Sequence, residues 1–370
     1  MTSVYIHIPF CQRICSYCDF PKRVSKSIEI DHYLDTLEKE IKMYQVNDII
    51  DTLYIGGGTP SILSSKQLLR LNQIIKLFHL SNKVEFTMEC NPEHITNEKI
   101  ILLKQLGVNR ISLGVQTFNE RLLRILNRGH LKNMVYDAVN LLKKNNLSNI
   151  SMDLIFAIPF QTIEEVKEDL AHIQQLDVPH ISYYSLILEE KTVFDKLLSE
   201  NKIQLIDNET EAQMYELILN SLKKSKYHHY EISNYAKKGY ESRHNQVYWQ
   251  NKSYYGFGMG ASGYVNHVRY YNVNYVNQYI ELIKKEKRPI KHQDTIDKSE
   301  ELKEAFLLGL RLIDGLSIEE INKRYQVNIL EYFEREFKCL VDKGFIEISD
   351  RIKLTHTGLF YGNEVFEVFV

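Results

Sequence analysis

The chain lacks the marks of an exported, membrane-spanning or polyanion-binding protein. Its 370 residues hold five cysteines, few for a disulfide framework at this length. No apolar run approaches the roughly twenty residues that span a bilayer. The opening MTSVYIHIPF has neither a basic start nor a small-residue cleavage site, so a cytoplasmic location is expected, with any membrane contact made peripherally through partners. Excess charge of one sign is missing too: 46 lysines and arginines face 48 aspartates and glutamates, for a formal net charge of -2. That balance offers no general surface to nucleic acid. There is a single tryptophan, and no internal repeat or low-complexity tract. The rest is ordinary for a globular protein, 44% hydrophobic and 25% charged, with chain enough for one large domain and a smaller one.

Through the first half, β-branched runs alternate with amphipathic helical stretches, the pattern of repeated β/α units on a parallel sheet. Strands are predicted at residues 4–8, 52–55, 84–88, 110–115, 150–155 and 180–186, and helices at 30–43, 66–78, 97–106, 134–144 and 163–176. Six units point to an α/β fold with a partial (β/α)6 TIM-like barrel, and an open doubly wound sheet is the competing architecture. After Leu186 the pattern loosens into a Tyr-, His- and Asn-rich region. The division that follows is a barrel over 1–250, a connecting region packed on it over 251–298, and a smaller domain over 299–370. In that last stretch three helical patterns end at Gly344, and short runs at 345–348 and 351–354 flank Ser349 and Asp350 as a hairpin. Three helices and a hairpin make a winged-helix-like α+β module. Its helices carry both signs of charge, so it reads as a packing or docking domain.

The informative polar clusters fall where predicted strands end, the edge at which parallel α/β folds bind ligands. Cys11, Cys15 and Cys18 follow the first strand in a C-x3-C-x2-C loop with Tyr17 before the third cysteine. Structural zinc usually takes four protein ligands, often as two close pairs, and no second pair exists here. Three thiolates suit an iron-sulfur cubane whose fourth iron stays open, with zinc the lesser alternative. Gly56, Gly57, Gly58, Thr59 and Pro60 follow the second strand. No lysine succeeds them, so this is not a phosphate-binding Walker loop; it is either a tight turn or a place where backbone meets ligand. Glu89 closes the third strand, Gln116 follows the fourth, and Asp153 sits inside the apolar fifth.

YIHIPFCQRICSYCDF followed by YIGGGTPS closely resembles the radical S-adenosylmethionine (SAM) superfamily. Within it, the match is to the oxygen-independent coproporphyrinogen III oxidase group and its heme chaperone branch, HemW. The resemblance implies a [4Fe-4S] cluster on Cys11, Cys15 and Cys18, SAM on the open iron, and reductive cleavage of SAM to a 5′-deoxyadenosyl radical. It assigns Gly56, Gly57, Gly58 and Thr59 to the SAM amino group, Glu89 to the methionine end, Gln116 and Asp153 to the ribose, and Arg128 to the SAM carboxylate. Tyr5 and Tyr17 fall near SAM and cluster. Apart from the resemblance, Arg128 would be a helix-surface arginine and Tyr5 a packing residue. His244, Tyr248 and Trp249 match the H-N-x-x-Y-W sequence connected with heme in that branch, an axial imidazole beside flat apolar surface. Local hydrogen bonding by His244 and a core role for Trp249 is the alternative.

Coproporphyrinogen oxidases of this type continue the cluster loop with a fourth cysteine and carry an extension before the first strand. Here Asp19 and Phe20 follow Cys18. The expected function is therefore a chaperone that carries heme as cargo to membrane respiratory proteins, with oxygen-independent coproporphyrinogen III dehydrogenase activity as the rival. A heme-donating storage protein and a homodimer are left open as partners.

Overall fold

The computed structural model describes residues 2–24 and 26–370. Six strands lie side by side in chain order, all parallel: β1 (Thr2–Ile8), β2 (Ile49–Gly57), β3 (His79–Cys90), β4 (Arg110–Gln116), β5 (Ile150–Phe156) and β6 (His180–Ser185). Between them run α1 (Ser27–Tyr44), α2 (Ser65–Ile75), α3 (Asn97–Leu106), α4 (Glu120–Ile125), α5 (Lys132–Lys144) and α6 (Ile163–Leu176). This is the expected partial (β/α)6 barrel. Helix starts are written locally: Ser64 with Gln67, and Thr162 with Glu165, form reciprocal capping boxes at α2 and α6, each cap worth about 1 kcal/mol.

The sheet is larger than the alternation predicts. After α7 (Val193–Ser199) and α8 (Asn208–Lys224), β7 (His228–Glu231) and β8 (Asn234–Ala236) extend the β6 edge antiparallel. Past α9 (Arg243–Trp249), β9 (Tyr254–Phe257) returns to the other edge and pairs in parallel with β1. β10 (Ser262–Val265), β11 (Val268–Asn272) and, after α10 (Val276–Lys284), β12 (Ile290–Thr295) continue antiparallel. The twelve strands run β12-β11-β10-β9-β1-β2-β3-β4-β5-β6-β8-β7. The 251–298 region is thus woven into the sheet. Its strands are short and rich in tyrosine, which is why no β-branched run marked them.

Each barrel strand has two unlike faces. On β4, Ile111, Leu113 and Val115 are fully buried toward the helices, each contributing about 1.5–3 kcal/mol through burial. Arg110, Ser112, Gly114 and Gln116 face the other way and line the bore. β5 repeats this with Met152 and Leu154 in the core and Asp153 and Ile155 facing the bore. A barrel of this kind ordinarily fills its interior with branched apolar side chains; here polar and apolar side chains together line an open chamber of about 480 Å³.

From α11 (Lys298–Gly309) onward, a second core gathers Phe306, Phe333, Phe337 and Phe369. The expected hairpin, Ile346–Ile348 with Arg351–Leu354, gains a third strand at Leu316–Ser317. This module is fastened to the barrel: Arg324 donates to the carbonyls of Gln250 and Asn251 at 3.1 and 2.9 Å. Arg311 lies over the Trp249 ring at 5.3 Å. Among the described residues, no helix is long and apolar enough to cross a membrane.

Candidate functional site

The cysteine loop is held at both ends and in the middle. Phe10 and Cys11 pair in parallel with Arg23 and Val24, closing the loop at its base. Farther out, the Ser16 amide donates to the Leu126 carbonyl at 3.1 Å and Asn127 Nδ2 to the Ile14 carbonyl at 2.7 Å. Tyr17 packs into the apolar cluster of Leu122, Leu126, Ile155 and Phe194. The loop therefore leans on the segment that ends in Arg128.

The glycine turn docks against the same strand end. Gly58 N donates to the Ile8 carbonyl and Thr59 N to the Phe10 carbonyl, both at 2.8 Å, and Thr59 Oγ1 reaches Cys11 Sγ at 3.6 Å. Gly57 sits at φ +112, and a Cβ there would come within 2.5 Å of the His7 ring. A Cβ on Gly58 would lie 2.9 Å from Cys11 Sγ. Both positions need glycine, since the space belongs to the cysteine strand. Glu89 ties the turn from the other side, accepting from Gly57 N and from Tyr54 Oη, each at 3.0 Å. Burial raises its pKa to about 7 against the lowering effect of those two donors.

Arg128 donates to Asn91 Oδ1 at 2.8 Å and to the Gly114 carbonyl at 2.7 Å, and Nη1 approaches Cys15 Sγ at 3.6 Å. Its Nε is buried without a partner. This half-buried arginine lies past the end of α4, tied into a network that faces the chamber, and not on a helix surface. Asp153 accepts from Ser112 Oγ at 2.5 Å and from Ser151 Oγ at 2.9 Å. Gln116 ends β4 with φ +66.

Cys11, Cys15, Cys18, Tyr17, Gly57, Gly58, Thr59, Glu89, Gln116, Arg128 and Asp153 line one chamber at the C-terminal edge of the parallel strands. Gly56 and Tyr5 lie outside its lining. Gly56 backs onto the Glu89 carboxyl, while Tyr5 stacks on Tyr54 and bonds His7 Nδ1 at 3.0 Å. Among the described residues, no three His, Cys, Asp or Glu side chains converge closely enough for a single metal ion. A cubane asks for less convergence, because each thiolate takes a different iron. Burial raises the Cys11 thiol to about 11 and pushes Cys18 up as well; ligation by iron removes those protons. Three soft donors in one loop, an open chamber beside them and an arginine with a spare N–H fit a cluster with SAM at its open corner.

The heme-motif residues have other neighbours. His244 is 1% exposed, and both ring nitrogens are engaged, Nδ1 with Thr52 Oγ1 and Nε2 with Tyr248 Oη, each at 2.8 Å. Because Thr52 donates its own proton to Ser3 Oγ, it accepts from Nδ1–H, which leaves Nε2 accepting from Tyr248. Burial holds the ring neutral, with its pKa lowered to about 3. In this arrangement His244 presents no free nitrogen to a heme iron, and Trp249 faces Arg311. Those contacts are the local hydrogen-bonding and packing alternative. Asn245, from the same helix, does line the chamber.

Sequence reasoning missed Arg110, Ser112, Ser182 and Tyr184, all of which line the chamber; Asn245, the second residue of the H-N-x-x-Y-W sequence, is the member of that motif that does so. For β4 a signal existed: counting back by twos from Gln116 reaches Gly114, Ser112 and Arg110.

A parallel β/α sheet whose C-terminal edge carries a three-cysteine loop and a glycine turn defines a radical SAM protein, and residues 5–173 match the model of the Radical SAM superfamily. Residues 296–361 match the HemN C-terminal domain. The chain is 41% identical over 370 residues to the heme chaperone HemW of Lactococcus lactis subsp. lactis (strain IL1403), covering all of this chain and 97% of the relative. It is 40% identical over 380 residues to that of Bacillus subtilis (strain 168), covering 100% and 99%. The chain belongs to the HemW family. Among solved structures, coproporphyrinogen III oxidase (HemN) from Escherichia coli, described as a radical SAM enzyme, shares the fold. Its TM-score is 0.87 at 22% identity, over 100% of this chain and 89% of that one.

Proposed function

We propose that this protein is a heme chaperone built on a radical SAM barrel. Cys11, Cys15 and Cys18 hold a [4Fe-4S] cluster, SAM binds at the open iron, and heme is the cargo handed to respiratory proteins at the membrane. The single observation that carries the cofactor part is the shared chamber: thiols, glycine turn, Glu89, Gln116, Arg128 and Asp153 all open onto it. The cargo part rests on full-length kinship with proteins named heme chaperone HemW. When bound, the cluster supplies the electron that reduces the SAM sulfonium.

The chain's own residues position and shield. The guanidinium of Arg128 pairs the SAM carboxylate in a planar fork. Gly57, Gly58 and Thr59 offer backbone and hydroxyl groups to the methionine end, with Glu89 behind them, and Gln116 and Asp153 hold the ribose. A cytoplasmic protein that meets the membrane through its acceptors, drawing heme from a storage donor, completes the reading; a homodimer is compatible with it.

The test is anaerobic reconstitution followed by titration with SAM and with hemin. About four irons per chain, an electron-paramagnetic-resonance signal altered by SAM, and saturable hemin binding are expected. Single Cys→Ser changes at Cys11, Cys15 or Cys18 should abolish the cluster, whereas Cys90→Ser and Cys339→Ser should retain it. Stoichiometric zinc without iron would overturn the cluster. Turnover of coproporphyrinogen III without hemin binding would replace the chaperone by a dehydrogenase.

A further inference from the structure

Arg110 opens β4 and is 2% exposed, yet it lines the chamber on the same strand face as Ser112, Gly114 and Gln116. At about 3.3 Å per residue, Arg110 and Gln116 stand roughly 20 Å apart along the strand. The SAM contacts read for Gln116 and Arg128 belong to one end of the chamber, and Arg110 to the other. Among the described residues no hydrogen bond or ion pair engages its guanidinium, and its Nε is buried without a partner. Asp153, level with Gly114 on the neighbouring strand, feels the Arg110 charge, but its oxygens are taken by the Ser112 and Ser151 hydroxyls. Glu89 is held by Tyr54 and Gly57.

A buried guanidinium that feels a carboxylate's charge but makes no hydrogen bond to it is still incompletely paired, and native proteins complete such pairs. A guanidinium fork is matched by a carboxylate, which it can grip through two parallel hydrogen bonds. Elsewhere around the chamber, Phe20 is 58% exposed and Ile187 70% exposed, so apolar surface lines it as well. A ligand suited to both features has an apolar body and a carboxylate arm.

We infer that Arg110 is the seat for a carboxylate of the molecule taken into the barrel. Resting on the function proposed above, that group is a propionate of the tetrapyrrole, which enters arm first. SAM brings a carboxylate too, but its place is at Arg128, so the two arginines divide two acids between them.

Mesoporphyrin IX, which carries the propionates without iron, and its dimethyl ester, which masks them, separate this seat from iron ligation. Both are titrated by fluorescence into the cluster-loaded full chain. The free acid should bind about ten- to a hundredfold more tightly than the ester, the range of a charge-assisted pair. Arg110→Met should erase that preference while SAM affinity persists, and Arg110→Lys should restore part of it. Equal affinity of acid and ester for the unaltered protein, failure of both to bind, or a preference that survives Arg110→Met would overturn the seat. Because the acid and ester comparison uses the unaltered chain, a Met variant that fails to fold leaves the test standing. Hemin titrated in parallel tells the two readings apart. Discrimination between acid and ester without hemin binding keeps the seat and removes the heme function; hemin binding without discrimination does the reverse.

Discussion

Two side chains of the site region show how differently a sequence motif and its surroundings can speak. Arg128 is half-buried among Asn91, Gly114 and Cys15, with two of its five N–H groups unused, so Arg128→Ala should weaken SAM binding by about 1.5–3 kcal/mol. Calorimetric titration of reconstituted protein measures this, and unchanged affinity would remove the assignment. His244 lies between Thr52 and Tyr248 and stacks on Tyr54 at 5.1 Å. Its replacement by alanine leaves the Tyr248 hydroxyl without this partner and a cavity beside Thr52, which keeps its bond to Ser3, and should lower stability by about 2–4 kcal/mol. The folded fraction should take up hemin as the parent does; a stable variant with lost hemin binding would make the residue a ligand after all. The cysteines were legible because three thiols in eight residues have few structural uses. Arg128 was legible only through resemblance, since nothing in LNRGH announces burial. Arg110 was hidden by its neighbours: a cation beside β-branched residues reads as a strand border, and only the alternation along β4 reveals which way it faces.

Among the elements, α1 shows a buried acid acting as a bracket. Glu40 is fully buried and accepts from Tyr279 Oη at 2.6 Å, Gly258 N at 2.7 Å and Asn272 Nδ2 at 2.8 Å. It thereby joins α1 to α10, β11 and the turn after β9. Burial raises its pKa to about 7, opposed by those three donors. A carboxyl whose folded pKa exceeds its unfolded value favours the folded state most below the unfolded value, and that contribution is lost as pH rises through the folded one. Glu40→Gln cannot ionise. Relative to this variant, the parent should therefore lose stability on the order of 2–3 kcal/mol between about pH 4.5 and pH 7.5. Urea denaturation at several pH values reads the slope directly, and parallel curves would show that Glu40 does not titrate in this range. The β/α alternation of the barrel was legible because long β-branched runs and capped helices repeat. The strands β7 to β12 were not, because three- to six-residue strands rich in tyrosine and histidine have too few positions to establish a period of two.

At the scale of the molecule, the two cores meet through Arg324, Arg311 and Trp249, so the smaller module braces the chain just after α9. The wider consequence lies in the pairing of β1 with β9, in which Val4 opposes Tyr255. During synthesis at about 5–20 residues per second, the roughly 250 residues between these partners take on the order of 12–50 seconds to emerge. For that interval the barrel has its six parallel strands and a bare β1 border, a row of unsatisfied amides and carbonyls open to any neighbouring nascent chain. A chain halted at about residue 250 should make this visible as light scattering and insoluble product, where the full chain stays in solution. Soluble, monomeric material from the halted chain would show that the border is covered some other way. A protein read as a carrier for a reactive cargo thus depends, while it is being made, on something keeping its own open edge from the wrong partner.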